Sequence, residues 1–277
     1  MKKLSFILLT IILALSGCSK DSSTQNETTS DTIITQKPNT ENNIEKSPSE
    51  IKNEIILEKI NSMTLEEKVG QLFMCAFRQD ENGNNITELN NEIIDTLNNK
   101  NIGGVVIFGE NITSSTQLKN FLQDIKNTSK IPLFLGIDEE GGSVSRIKKC
   151  SDLSDYNIPS AQEMAQKGEE YVYEMNSKIG STLFDIGFNV DFAPVADINT
   201  NPQNTVIGDR AYGSEPESAA KFVAQAVKAL NDNNIQAAVK HFPGHGDTFT
   251  DSHFGEAIVE HSKERIMNTE LIPFKEG

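Results

Sequence analysis

The chain has 277 residues and a formal net charge of −15, a length that suits one large domain or two small ones. So acidic a chain repels the phosphate backbone, and we therefore expect no nucleic-acid partner. Its three cysteines, Cys18, Cys75 and Cys150, form neither a disulfide framework nor a CxxC metal motif.

The N-terminus has the pattern of an export signal. Lys2 and Lys3 precede an apolar run over 4–15, which is too short for a membrane span and is typical of a secretory signal. The run ends in Leu-Ser-Gly-Cys at 15–18, which resembles the lipobox of bacterial lipoproteins. The resemblance implies a signal peptide over 1–17, a lipid on Cys18, and a secreted protein anchored to the outer face of the bacterial cell membrane. The alternative is an ordinary cysteine at the end of a signal peptide.

A polar segment follows Cys18. Residues 19–48 are rich in Ser, Thr, Asn, Gln and Glu and have few apolar residues, so they cannot bury enough surface to offset the entropy lost on ordering. We interpret 18–48 as the lipidated cysteine and a disordered tether, and 49–277 as the folded domain.

Helix and strand patterns alternate through this domain. A first helix is predicted over 51–60, and the Thr-x-x-Glu at 64–67 predicts a capping box that opens a second. Apolar runs predict five strands, and 3.6-residue periodicity predicts helices between them. The predicted strands are 72–77, 104–108, 132–137, 189–193 and 235–240, and the predicted helices are 86–98, 115–127, 161–186, 215–231 and one that starts near Ser262.

Apolar strands separated by helices predict a parallel sheet covered by helices. A (β/α) barrel and a doubly wound sheet both fit this pattern. Polar residues at the carboxyl ends of strands, such as Asp138, Asp191 and Lys240, favour the barrel, whose active sites lie at that end. The absence of a GxGxxG motif after the first strand argues against dinucleotide binding.

The third strand leads into Asp138-Glu139-Glu140-Gly141-Gly142, with Arg146 shortly after. A carboxylate at a strand end can accept two sugar hydroxyls, and paired glycines let the backbone approach a ligand closely. An ordinary acidic turn is the alternative.

A long loop follows the fourth strand and ends in Gly-Asp-Arg-Ala-Tyr-Gly at 208–213. Loops of about twenty residues without regular structure are uncommon and usually functional. Arg210 can hold a carboxylate or a carbonyl through its fork of donors. Asp191 and Asp197 are interpreted as structural groups that accept hydrogen bonds from the loop backbone.

Three of the four histidines fall in the stretch 240–253, KHFPGHGDTFTDSH, which follows the fifth strand. Asp251 can fix the tautomer of His253 and raise its pKa, which suits a general acid/base near neutral pH. A metal site built from His241, His245, Asp247 and His253 is the alternative.

Taken together, four segments resemble glycoside hydrolase family 3, in particular its β-N-acetylglucosaminidases of the NagZ type. They are IDEEGG at 137–142, DFAPVADINTNP at 191–202, VIGDRAYGSEPE at 206–217 and KHFPGHGDTFTDSH. The resemblance runs from about residue 50 to the end and implies an α/β fold of the (β/α)8 TIM-barrel type, with five to six β/α units present.

The resemblance also implies an activity, namely removal of terminal β-linked N-acetylglucosamine from cell-wall muropeptides or related glycans with retention of configuration. His253 carries over as the acid/base and Asp251 as its orienting partner. The sugar-binding positions carry over to Asp138, Arg146, Arg210, Lys240 and His241. The resemblance implies a carbohydrate partner and no cofactor or metal. Ser143 replaces the first arginine of the family's EGGRVxR pattern, a difference within the subsite.

The family's nucleophile is an aspartate in an SDD-like motif, which does not occur among these 277 residues. We therefore expect negligible glycosidase activity and an unclosed barrel for this chain by itself. Two other hypotheses stay open at this point: a non-catalytic, membrane-tethered sugar-binding or vestigial lipoprotein, and a metal-dependent hydrolase.

Overall fold

The computed structural model describes residues 46–248, 255 and 258–277. Two helices come first, α1 (Pro48–Ser62) and α2 (Leu65–Gly70). The predicted capping box is confirmed: the Thr64 hydroxyl accepts from the Glu67 amide at 3.2 Å, and the Glu67 carboxylate accepts from the Thr64 amide at 2.8 Å. No residue of α1 is buried, and the compact unit runs from Lys52 to Gly277.

Five parallel strands form the main sheet, in the order in which they occur in the chain. They are β1 (Met74–Cys75), β2 (Gly104–Ile107), β3 (Phe134–Ile137), β6 (Val190–Asp191) and β7 (Gln236–Ala237); β4 (Glu139–Gly141) and β5 (Val144–Ser145) form a separate antiparallel hairpin. All five predicted strands are present, each shorter than predicted. A doubly wound sheet reverses its strand order at a switch point, whereas this order never reverses, as in a (β/α) barrel. Among the described residues the sheet keeps two free edges, β1 and β7, and does not close.

The helices cover one face of the sheet. They are α3 (Asn91–Asn99), α4 (Ser115–Thr128), α5 (Ala161–Gln166), α6 (Glu169–Ile186), α7 (Pro216–Asp232), α8 (Lys263–Asn268) and α9 (Ile272–Glu276). Successive strand residues point to opposite faces, so Val105, Leu135 and Ile137 pack into the core at no more than 1% exposure. Phe134 points the other way and is 49% exposed. The hydrophobic core thus lies between the sheet and its helices.

Two helix predictions were wrong in detail, and one helix was missed. The helix predicted over 161–186 is two helices, because Gly168 adopts φ +98 between α5 and α6. Helix α3 begins at Asn91 rather than 86, because the side chain of Asn90 accepts from the Ile93 amide and caps it there. Helix α9 was not predicted.

The hairpin β4–β5 was also not predicted, although it places two acidic residues of the candidate site. Gly141 has φ +80, and a Cβ atom there would lie 2.6 Å from the Pro159 carbonyl oxygen. The chain therefore needs glycine at this position both for its backbone angle and for space.

The predicted irregular loop between β6 and α7 contains one short 3₁₀ helix, Gly208–Arg210. This turn carries Arg210 toward the hairpin. Within the described ranges, no helix has the length and apolar character needed to cross a bilayer.

Candidate functional site

The structure brings five of the predicted site residues to one cavity. Asp138, Arg146, Arg210, Lys240 and His241 all line a space of about 560 Å³, within the size range of small-molecule sites. The wall also contains apolar and aromatic side chains, among them Phe108 and Phe192. The polar groups lie in the segments that follow the carboxyl ends of β3, β6 and β7, where barrel enzymes place their sites.

Lys240 joins two acidic residues across the cavity. Its ammonium group lies 2.7 Å from Asp138 Oδ1 and 2.6 Å from Glu140 Oε1. The backbone of Lys240 is fixed by a parallel bridge to Val195, and its carbonyl accepts from the Ala196 amide at 2.6 Å. Lys240 therefore links the end of β3 to the segment after β7.

Glu140 is the centre of this charge network, and no site role was predicted for it. Its side chain is 6% exposed and accepts from Arg210 Nε and Nη2, both at 2.8 Å. Burial opposes ionisation of Glu140, but the hydrogen bonds from Arg210 and the charges of Lys240 and Arg210 outweigh it and lower the pKa of the carboxyl. Its place two residues after Asp138 is a sequence signal, since alternate strand residues share a face.

Asp197 organises the two histidines of the cavity. Its carboxylate is buried and lies 2.5 Å from His241 Nδ1, and it accepts from the His245 amide at 2.6 Å. His245 Nδ1 lies 2.6 Å from Thr248 Oγ1. These contacts agree with the structural role predicted for Asp197, and they show that His245 also belongs to the cavity wall.

Two more carboxyl groups lie beneath the cavity. Glu139 accepts from the Arg146 and Ile147 amides at 2.7 and 2.9 Å, and Asp191 accepts from the Glu139 amide at 3.0 Å. Burial raises the pKa of both carboxyls, and for Asp191 the negative charge of Glu139 adds to the rise. Asp191 is therefore structural, as predicted, and supports the strand ends that carry the site.

Arg146 presents hydrogen-bonding capacity to the cavity. Its Nε is shielded from solvent and has no hydrogen-bond partner within the described part of the chain. A buried donor without a partner is stabilised when an acceptor atom of a ligand forms a hydrogen bond with it.

Three predicted residues cannot be placed. Asp251, His253 and Cys18 lie outside the described residues, so the roles assigned to them stay predictions.

Of the residues in the alternative metal site, Asp247 belongs to a cluster of three possible ligands in the described regions, but that cluster does not contain His241 or His245.

Comparison with known proteins identifies the family. The model of the "Glycosyl hydrolase family 3 N terminal domain" matches residues 64–277. The chain belongs to this family. The predicted family membership and α/β barrel type are thereby confirmed.

Curated relatives of this family 3 chain carry hexosaminidase names. "Beta-hexosaminidase A" of Pseudoalteromonas piscicida is 36% identical over 229 residues, which cover 77% of this chain and 38% of the relative. "Beta-hexosaminidase LpqI" of Mycobacterium tuberculosis is 33% identical over 181 residues, 65% of this chain and 45% of the relative. The chain thus spans less than half the length of either protein.

Solved structures agree with this assignment. A family 3 β-N-acetylglucosaminidase from Paenibacillus superposes with a TM-score of 0.69 at 36% identity, over 78% of this chain and 40% of that one. NagZ from Neisseria gonorrhoeae superposes with a TM-score of 0.65 at 25% identity, over 73% of this chain and 58% of that one.

Proposed function

We propose that the cavity binds the terminal β-linked N-acetylglucosamine of a cell-wall muropeptide or related glycan, as the sugar-binding part of a retaining β-N-acetylhexosaminidase. The observation that carries the proposal is the meeting of Asp138, Arg146, Arg210, Lys240 and His241 in one cavity. The hexosaminidase names of the relatives support the substrate class.

The chemistry of the cavity suits a sugar. One carboxylate oxygen of Asp138 binds Lys240. The other oxygen can accept hydrogen bonds from sugar hydroxyl groups, because an ionised carboxylate is an acceptor only. Arg146 and Lys240 supply charged donors for hydroxyl and carbonyl oxygens. Phe108 and Phe192 give the wall apolar surface for the C–H face of a pyranose ring.

Bond cleavage falls to residues outside the described part of the chain. By resemblance, His253 protonates the leaving group and later activates water, with Asp251 orienting its ring. The nucleophile of a retaining enzyme would attack from the opposite face of the sugar.

We also propose that the mature protein is held at the outer face of the membrane through lipid on Cys18. The support is the apolar run over 4–15 and the lipobox-like sequence that ends at Cys18. One acyl chain gives marginal binding, whereas a lipidated cysteine with several chains anchors stably.

Calorimetric titration of the full chain with N-acetylglucosamine and with glucose tests the sugar proposal. We expect saturable binding of N-acetylglucosamine and weaker binding of glucose. Asp138→Asn should bind N-acetylglucosamine about tenfold more weakly than the wild type, because it loses one charged hydrogen bond to the sugar. Asp80→Asn, an exposed change in the turn before Asn84, is the matched control and should bind like the wild type. Equal affinity in wild type and Asp138→Asn would remove Asp138 from the site, and no saturable binding would end the proposal.

A further inference from the structure

Three side chains of metal-ligand type come together away from the cavity wall. Ligand atoms of Asp247, His261 and Glu270 lie within 4.8 Å of one another, and none of the three residues lines the carbohydrate cavity. His261 Nε2 is hydrogen-bonded to Asp247 Oδ2. Asp247 follows the histidine pair, His261 precedes α8, and Glu270 lies in the turn between α8 and α9.

Glu270 is the informative member of this group. The residue is 4% exposed, and Arg265 Nη2 binds its Oε1 at 3.3 Å, while Oε2 is buried without a hydrogen-bond partner in the described ranges. A Cβ atom at Gly244 would lie 2.8 Å from Glu270 Cβ, so the loop carries glycine where the Glu270 side chain packs against it. An unpartnered buried carboxylate oxygen is unfavourable unless something binds it.

We propose that Asp247, His261 and Glu270 form a binding site for a divalent cation of the zinc class. One imidazole and two carboxylates are a set that zinc accepts at bond lengths of about 2.0–2.2 Å. Two ligand atoms of a tetrahedral zinc ion with such bond lengths are about 3.4 Å apart, so side-chain shifts of about 1 Å, which also open the His261–Asp247 hydrogen bond, bring all three atoms into range. Calcium is disfavoured, because it takes six to eight oxygen ligands.

The charge of the group is suitable for a cation. Asp247 and Glu270 supply two negative charges, and Arg265 neutralises part of one of them. A divalent ion would neutralise the remaining negative charge and would bind the Glu270 oxygen that has no hydrogen-bond partner in the described ranges. Water would complete the coordination. Arg265 fixes one oxygen of Glu270 and so orients the other, as hydrogen-bonded neighbours of metal ligands do.

The position of the site gives it a consequence for the chain. Asp247 and His261 are fourteen residues apart and lie on either side of Asp251 and His253 in the sequence. A cation bound to both, and to Glu270, would join the two ends of that segment to the α8–α9 turn. Any effect on catalysis rests on the proposed function, whereas metal binding does not.

Zinc titration of the metal-stripped full chain by calorimetry, with thermal unfolding in parallel, tests the site. We expect one zinc to bind and to raise the unfolding midpoint, since a ligand that binds the folded state stabilises it. Affinity should fall at least tenfold in Glu270→Gln and in His261→Gln, and the rise in midpoint should disappear in both. Calcium should produce no rise.

Two comparisons keep the test decisive. His261 has a side chain 32% exposed, so His261→Gln should fold even if Glu270→Gln does not, and far-UV circular dichroism checks both. His245→Gln removes a histidine of the cavity wall and should bind zinc like the wild type. Zinc binding that survives His261→Gln and Glu270→Gln, or that is lost in His245→Gln instead, would overturn the assignment.

Discussion

Arg210 binds Glu140 through two nitrogens, with Nε and Nη2 each 2.8 Å from a carboxylate oxygen. Sequence reasoning expected the Arg210 fork to hold a carboxylate or a carbonyl, and the structure supplies that carboxylate from within the chain. The same Nη2 lies 3.4 Å from His241 Nε2. The ion pair therefore fixes the arginine plane beside the cavity before any ligand arrives, which reduces the entropy lost on binding.

The first prediction is that Glu140→Gln destabilises the fold by about 3 kcal/mol, because it leaves the partly buried cations Arg210 and Lys240 without the carboxylate that they share. Urea unfolding measures the change. The matched control is Glu110→Gln, which breaks the more exposed ion pair with Arg78 and should cost less than about 1 kcal/mol. Similar losses in the two variants would show that the Glu140 network adds little to stability.

The second prediction concerns Asp191, whose pKa burial raises well above its ordinary value of 3.8. The folded state then keeps a proton that the unfolded chain releases above about pH 3.8, so stability falls as pH rises from there toward the folded-state pKa. Asp191→Asn cannot titrate and should remove this loss. Relative to wild type, the variant should therefore become more stable as pH rises above about 4. A stability difference that stays constant with pH would contradict the assignment.

The sequence predicted the parts of the fold that depend on local patterns. The apolar runs around Val105 and Leu135 predicted strands correctly, because the residues of a strand that packs against helices are mostly apolar or small. Polar residues at strand ends predicted a site at this end of the sheet, and three of them, Asp138, Lys240 and His241, line the cavity. The resemblance added Arg146 and Arg210 as sugar-binding residues.

The features that were missed depend on distant contacts. Lys240 reaches Asp138 over 102 residues of sequence. The two-residue spacing of Asp138 and Glu140 indicates that they share a face, but no local pattern shows that both bind the same lysine. The hairpin β4–β5 has strands too short to show alternation, and its position is set by packing against Ile158 and Pro159. Gly168 interrupts a helical pattern that is otherwise continuous, which periodicity alone does not detect.

The third prediction uses two glycines with nearly the same backbone angle. Gly83 has φ +81, and a Cβ atom there would have no neighbour within 4 Å, whereas Gly141 has φ +80 with Ile158 and Pro159 at 2.6 Å from the corresponding position. Gly83→Ala should cost about 1 kcal/mol from backbone strain alone. Gly141→Ala should cost about 1–3 kcal/mol more, because the hairpin must also move away from the new methyl group. Equal losses by urea unfolding would mean that the close packing at Gly141 relaxes freely.

The fourth prediction concerns the proposed anchor. Metabolic labelling with a fatty-acid analogue should mark the wild type, and Cys18→Ala should lose the label and leave the membrane fraction. Cys150→Ala is the control: burial raises the pKa of the Cys150 thiol to about 11, so this cysteine is an inert core residue and its loss should leave labelling intact. Equal labelling of wild type and Cys18→Ala would disprove lipidation at Cys18.

The last prediction concerns the tautomer of His241. A carboxylate only accepts hydrogen bonds, so the 2.5 Å contact with Asp197 requires a proton on His241 Nδ1. In the neutral ring Nε2 is then an acceptor, which suits the donor Arg210 Nη2 at 3.4 Å. Asp197 thus sets which ring nitrogen of His241 can accept a proton in the cavity.

Asp197→Asn should reverse that tautomer while keeping the side-chain volume. The amide oxygen can still accept from the His241 and His245 backbone amides, which places the amide N–H groups against His241 Nδ1 and moves the ring proton to Nε2. Nε2–H would then face the Arg210 donor, so N-acetylglucosamine affinity should fall about tenfold while stability falls by about 1–2 kcal/mol. Long-range ¹⁵N–¹H spectra of the histidine rings report the tautomer directly. The His245 ring, whose Nδ1 contacts Thr248, is the internal control and should not change. A His241 ring spectrum identical in wild type and variant would show that Asp197 does not set the tautomer.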